Sequence, residues 1–146
     1  MKNYYASQTR SLFTLLLVTL VLGLFSCARK IHFENSEIVP TAQGSVKLKK
    51  DRNDNYQLEI ETLHLANPEK LTPAKKIYIV WAETTSNGTQ NLGRLNSKNS
   101  FMSKALKSEL HATTAYEPTR VFVTAEDEAT VSYPSGQVVL TTKTFD

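Results

Sequence analysis

The period-two alternation of apolar and polar residues constrains the fold of this chain most strongly. In YQLEIETLHL, residues 56–65, apolar Tyr56, Leu58 and Ile60 alternate with polar residues. The preceding SVKLKKD alternates in the same way, and the turn-forming DRNDN separates the two segments. Because successive side chains of a strand point to opposite faces, this pattern predicts two half-buried antiparallel strands joined by a short turn.

A central strand is predicted at residues 75–85, KKIYIVWAETT, because apolar residues occupy both of its alternating faces. Ile77, Ile79 and Trp81 share one of these faces. The SNGT that follows predicts a tight hairpin turn, since Asn-Gly tolerates positive φ at both central positions. Asn87 also fits a glycosylation acceptor, but that modification requires a eukaryotic secretory route, so we favour the hairpin.

The remaining segments extend the strand pattern. QNLGRLN returns from the Asn-Gly turn as a partner strand, and NSKNSFMS is expected to be a loop. Residues 104–114 fit either a helix or a strand, because two leucines lie four residues apart, and the neighbouring strands favour the strand. Residues 119–126 and 137–146 are rich in β-branched residues.

We therefore predict an all-β fold, an immunoglobulin-like antiparallel β-sandwich of about seven strands, preceded by a signal-peptide helix and a tether. Its core is predicted to contain Leu58, Ile60, Ile77, Ile79, Trp81, Val121 and Val123.

Residues 1–26 have the layout of a secretory signal peptide. Lys2 and Arg10 are the only charged residues before Cys27, and a mostly apolar run follows from Leu12 to Phe25. A helix over that run would span about 21 Å, which is short of the ~30 Å hydrocarbon core of a bilayer.

Cys27, the single cysteine of the chain, is predicted to be a lipidation site. The preceding residues complete LFSC, which resembles the bacterial lipobox: an aliphatic residue, a variable position, a small residue and cysteine. The resemblance implies a diacylglyceryl thioether on Cys27, cleavage before it and a further acyl chain of the palmitate type on its amino group. The alternative is a free thiol buried in a membrane helix.

Cleavage would leave a lipidated N-terminus and tether, residues 27–42, and a sandwich domain, residues 43–146. The mature chain would carry fifteen basic and fourteen acidic residues, so nothing indicates nucleic-acid binding. The basic run Lys47–Arg52 is more typical of a solvated strand and turn, and its lysines suggest an edge strand protected against pairing. Ala28 after the cysteine favours sorting to an outer membrane, with the domain facing the periplasm.

No catalytic constellation is found, and no cofactor is expected. His32, His64 and His111 lack a second metal ligand at suitable spacing, and His64 continues the inward face of its strand. Glu126, Asp127 and Glu128 form a candidate loop site for calcium, but three consecutive acids in a turn are more often solvated.

Residues 76–95 and 120–140 together resemble the extracytoplasmic C-terminal domain of anti-sigma-K factors. The matching positions are Trp81, Leu92, Gly93, Val123, Thr124, Glu126, Pro134, Gly136, Val138 and Val139. The resemblance implies a sandwich fold and an envelope location. It does not extend to anti-sigma activity, because this sequence shows no counterpart of the family's cytoplasmic helical module.

The sequence therefore predicts a membrane-anchored envelope lipoprotein with a non-catalytic binding or structural domain. Its partners would be membrane lipid, through Cys27, and an envelope protein. The alternative is an accessory extracytoplasmic sensor domain of an anti-sigma-type signalling complex. An enzyme would require a clustered polar site that the sequence does not reveal.

Overall fold

The computed structural model describes residues 28–98 and 106–145, which form nine strands and one short 3-10 turn. The strands are β1 (Arg29–His32), β2 (Gln43–Lys50), β3 (Tyr56–Leu63), β4 (Ile77–Thr84), β5 (Gly88–Arg94), β6 (Asn96–Lys98), β7 (Lys107–Thr114), β8 (Pro118–Glu126) and β9 (Val138–Thr141). The 3-10 turn, Pro68–Lys70, lies between β3 and β4.

The strands form two antiparallel sheets, in the orders β1-β2-β3-β7-β6 and β5-β4-β8-β9. Strands β2, β3, β7 and β6 occupy the positions of strands A, B, E and D of an immunoglobulin sandwich. Strands β4, β8 and β9 occupy those of C, F and G. The predicted all-β antiparallel sandwich is therefore confirmed, and residues 107–114 adopt the strand rather than the helix.

The main core lies between the two sheets. Leu58 and Ile60 of β3 face Val121 and Val123 of β8 there, as predicted, and all four side chains are buried. Further members of this core come from β2, β4, β9 and the loops: Val39, Ala42, Val46, Leu65, Tyr78, Val80, Leu95, Ala125, Val139, Leu140 and Phe145.

Trp81 and Ile79 are buried core residues, as predicted, but they pack on the opposite face of the four-stranded sheet and not between the two sheets. Both are 0% exposed, and they form a second cluster with Phe122, against which the half-buried Ile77 packs. The rings of Trp81 and Phe122 stack with centroids 6.4 Å apart. The reason is the alternation of β4, since Tyr78 and Val80 take the inner face.

The β4–β5 hairpin is confirmed, but its turn differs from the predicted two-residue type. Thr84 pairs with Gly88, so three residues form the loop. Gly88 alone in this turn has a positive φ, +62°. The Thr84 hydroxyl accepts from Asn87 N–H at 3.1 Å. The hairpin therefore has a three-residue loop followed by a glycine with positive φ, and not a two-residue primed turn.

The predicted tether is wrong for the described part of residues 27–42. Strand β1 pairs with β2, from Arg29 opposite Leu48 to His32 opposite Ser45. Val39 is buried in the main core. The sandwich therefore begins at Arg29 and not at residue 43, while Cys27 and the predicted signal peptide lie outside the described residues.

The strand count and the position of the sheet edge also differ from prediction. Strands β1 and β6 add to the seven predicted strands, and β6 lies in the segment expected to be a loop. Because β1 covers β2, the lysine-rich β2 is not an edge strand. The edge is β1 itself, which two cations and its length of four residues protect.

Candidate functional site

The outer face of the four-stranded sheet is covered by the β8–β9 loop, residues 127–137. Val131 of this loop packs against the cluster of Ile79, Trp81 and Phe122. From β5, the Asn91 amide donates to the carbonyl oxygens of Ala129, at 3.1 Å, and Val131, at 2.9 Å. The loop therefore forms a third layer, and the sheet beneath it is buried on both faces.

A buried chain of hydrogen bonds runs beneath this loop along the outer face. The Trp81 indole Nε1 donates to Thr124 Oγ1 at 2.8 Å, and the Thr124 hydroxyl donates to Glu126 Oε1, also at 2.8 Å. The side chains of these three residues share a face because Ile79 pairs with Thr124 and Trp81 with Phe122. The chain leads from the only tryptophan to a buried carboxylate.

The Glu126 carboxylate fastens the loop to the sheet. Its Oε1 accepts from the backbone N–H groups of Ser135 and Gly136, both at 3.0 Å, and its Oε2 accepts from the Ser135 hydroxyl at 2.7 Å. Glu126 is 1% exposed. Burial raises the pKa of Glu126, but the hydrogen bonds from Gly136, Ser135 and Thr124 outweigh it and hold the pKa below its ordinary value. We call Trp81, Thr124, Glu126, Ser135 and Gly136 the loop clamp.

Gly136 is required in the loop clamp because the loop backbone touches strand β8. A Cβ at Gly136 would lie 1.7 Å from the carbonyl oxygen of Ala125. The next residue of the loop also lies against β8, since Ala125 N–H donates to Gln137 O at 3.0 Å. Only a residue without a side chain allows this approach.

The predicted acidic loop site does not form, because its three residues point to different surroundings. Glu126 is inside the loop clamp, and protein donors already bond both of its oxygens. Asp127 pairs with Lys75 at 2.6 Å, and Glu128 is exposed. Over residues 28–98 and 106–145, no group of three or more His, Cys, Asp or Glu side chains is placed to hold a metal ion.

The three histidines are separate from one another. His111 on β7 lies opposite Glu59, and His32 on β1 lies opposite Ser45. His64 is exposed and has a φ of +56°, just after β3 ends. Its predicted place on the inward face is therefore wrong, because the chain turns away before it.

The outer face of the five-stranded sheet is polar and carries ion pairs between neighbouring strands. Lys47 pairs with Glu59 at 2.8 Å, and Lys107 pairs with Glu61 at 3.2 Å. These side chains are about a third exposed or more, so their pairs contribute little stability. This face fits the solvated surface that the sequence indicates.

Sequence reasoning found part of the loop clamp and missed the rest. Trp81, Thr124, Glu126 and Gly136 were all named by the family resemblance. Ser135 and the covering Asn91 were not. The only local hint was the turn former Ser135 beside Gly136. The alternation of apolar and polar residues does not indicate that Glu126 bonds to Ser135, nine residues further along the chain.

No protein-family model matches the chain, and no curated protein or solved structure is significantly similar to it. Across the described part of the chain, none of the elements is a helix with the length and apolar character needed to cross a membrane.

Proposed function

We propose that this protein is a lipid-anchored lipoprotein of the bacterial envelope whose β-sandwich binds or supports a partner and does not catalyse. The observation that carries the proposal is the lipobox-like LFSC at residues 24–27, which follows a positive start and an apolar run. Two or three acyl chains anchor a protein stably, whereas one chain gives marginal binding. Ala28 favours the outer membrane and a periplasm-facing domain.

The chemistry of the loop clamp supports a binding or structural role. A general acid or base needs an oxygen that substrate can reach. Both oxygens of Glu126 instead accept hydrogen bonds from the protein itself, and the side chain is 1% exposed. The best-organised polar cluster of the described residues therefore stabilises a loop over a sheet.

The anchor is tested by comparing the parent with Cys27→Ser in a bacterial host. We expect intact mass spectrometry of the parent to show loss of residues 1–26 and a gain of acyl mass on Cys27. The serine variant should lack the acyl mass and keep residues 1–26, because cleavage at a lipobox follows lipidation of the cysteine. A parent that keeps its first residues and an unmodified thiol would refute the proposal.

A second candidate is the accessory sensor domain of an anti-sigma-type complex. The observation that favours it is spatial: Trp81, Thr124, Glu126 and Gly136, which carry the family resemblance, are joined by direct hydrogen bonds in one cluster. If the domain is such a sensor, transcription that depends on the associated sigma factor should change when the domain is removed. Deleting the gene should change the output of a reporter driven by a neighbouring sigma factor, and an unchanged reporter would reject this role.

A further inference from the structure

The start of β1 leaves almost no spacer between the proposed lipid and the fold. Strand β1 begins at Arg29, so Ala28 alone separates Cys27 from the sheet. Consecutive Cα atoms are about 3.8 Å apart, so Cys27 Cα lies within ~8 Å of Arg29 Cα. A domain held this close to a bilayer must present one particular surface to the head groups.

The pairing of β1 identifies the end of the sandwich that carries the anchor. Arg29 pairs with Leu48, so Ala28 lies beside the end of β2 and the turn 51–55. Ala28 lines a shallow groove of about 310 Å³ together with Lys47 and Lys49. The loop 115–117, between β7 and β8, is at the same end, because Tyr56 pairs with Thr114.

This end of the sandwich is basic. We call the five exposed residues Arg29, Lys30, Lys49, Lys50 and Arg52 the basic corner. Residues 28–30, 47–55 and 115–117 together contain six basic and three acidic residues, a formal charge of +3. Residues 27–146 contain fifteen basic and fourteen acidic residues, a charge of +1, so the rest of the mature chain must carry −2.

Acidic residues neutralise only part of this end, and Lys47 also pairs with Glu59 of β3 at 2.8 Å. Asp54 pairs with Lys50 at 3.1 Å. The Asp51 carboxylate accepts the N–H groups of Asn53, at 2.8 Å, and Asn55, at 3.0 Å, and so is used within the turn. Within residues 28–98 and 106–145, Lys30, Lys49 and Arg52 have no ion-pair partner.

We propose that the basic corner docks on the anionic head groups of the membrane that holds the lipid, which rests on the proposed anchor at Cys27. Each cation held at an anionic surface strengthens docking by about fivefold. An eight-residue strand spans about 26 Å, so the opposite end, with residues 68–76 and the β8–β9 loop, points away from the membrane. The occupant of the basic corner is thus a lipid surface of net negative charge.

The test measures which end of the anchored protein lies at the membrane. The full lipoprotein is reconstituted in vesicles of phosphatidylglycerol and phosphatidylcholine in equal parts, with a head-group spin-labelled lipid as quencher. A fluorophore is placed on Asn53→Cys, in the turn 51–55, or on Ala74→Cys, at the opposite end. Both positions are exposed, and Cys27 would not react because its sulfur would be a thioether.

We expect the lipid to quench the probe at residue 53 several-fold more than the probe at residue 74. The difference should shrink in pure phosphatidylcholine and at about 0.5 M salt, because salt screens exposed charges. The variant Lys49→Gln/Arg52→Gln should lower the ratio of docked to undocked protein by about 25-fold. The matched control, Lys70→Gln/Lys76→Gln, removes the same charge from the opposite end and should leave the ratio unchanged.

Three outcomes separate the two proposals. Protein that does not float with the vesicles refutes the lipid anchor and the docking together. Protein that floats but shows equal quenching at the two positions refutes the docking alone. Quenching at residue 53 that ignores lipid charge, salt and the Lys49→Gln/Arg52→Gln substitution also overturns it, because the anchor alone would then set the orientation.

Discussion

Replacing Glu126 with glutamine should show how much the buried charge of the loop clamp contributes to stability. Glutamine keeps the size and shape of the side chain and offers one carbonyl oxygen in place of the carboxylate. That oxygen can still accept from Ser135 N–H and Gly136 N–H, which bond Oε1 at 3.0 Å. The Ser135 hydroxyl can turn to accept from the new amide, so the main loss is the negative charge.

The magnitude follows from the number of donors that lose a charged acceptor. A hydrogen bond to a charged group contributes about 1 kcal/mol more than a neutral one. Three donors are affected, the Thr124 hydroxyl and the N–H groups of Ser135 and Gly136, so Glu126→Gln should cost about 3 kcal/mol. Glu126→Ala removes the acceptor for the donors of Thr124, Ser135 and Gly136 and also releases the loop. We expect it to cost about 3–5 kcal/mol.

The assay is urea unfolding followed by Trp81 fluorescence, because Trp81 is the only tryptophan and is 0% exposed. Its dependence on pH tests the charge directly. The pKa of Glu126 is lowered in the folded protein, so its contribution is present above the unfolded pKa of about 4.3 and is lost as the pH falls through the folded pKa. The gap in unfolding free energy between the parent and Glu126→Gln should therefore shrink below about pH 4.3.

Two results would contradict this reasoning. Equal unfolding free energies of the parent and Glu126→Gln at neutral pH would mean that the charge contributes nothing. A gap that stays constant as the pH falls would mean that the glutamine acts through its shape. Other acidic groups titrate in both proteins, so they cancel in the difference.

Two further substitutions examine the layer on the outer face. Trp81→Ala should lower the unfolding free energy by about 3–5 kcal/mol, because it empties the space between the sheet and the β8–β9 loop, and thermal melts followed by circular dichroism should show it. A variant that melts within a degree or two of the parent would show that the indole packs loosely. Gly136→Ala should cost about 2–4 kcal/mol in urea unfolding, because the new Cβ would meet Ala125 O at 1.7 Å and force the loop off β8. Parent-like stability of Gly136→Ala would mean that the loop shifts freely and that the Glu126 contacts do not hold it.

The sequence predicts the strands of the sandwich well, because a half-buried strand leaves a period of two in its residues. Strand β3 is the clearest case, with Leu58 and Ile60 buried and Glu59 and Glu61 partly exposed. Strand β1 is not predicted, because it is too short and too exposed to show this period. It has four residues at a sheet edge, and only Ile31 is even partly buried, so the apolar pattern is too short to be recognised.

The face of Trp81 could not be predicted, because β4 has apolar residues on both of its faces. The period of two then separates Ile79 and Trp81 from Tyr78 and Val80 without indicating which pair meets the other sheet. The answer depends on the β8–β9 loop, which covers one face through Val131 and through the hydrogen bonds of Asn91. Contacts between residues 38 and 40 positions apart leave no local mark in the sequence.

The position of the loop clamp relative to the basic corner makes the two regions separable by mutation. Strand β8 runs from Pro118, beside the loop 115–117, to Glu126, so the buried carboxylate lies at the end opposite the basic corner. Changes at sites more than about 10 Å apart with no shared partner usually add within ~0.5 kcal/mol. Glu126→Gln should therefore alter unfolding without altering the quenching difference, and Lys49→Gln/Arg52→Gln should do the reverse. If the two sets of changes were coupled, the sandwich would transmit strain between the basic corner and the loop clamp, and the two regions would not be independent.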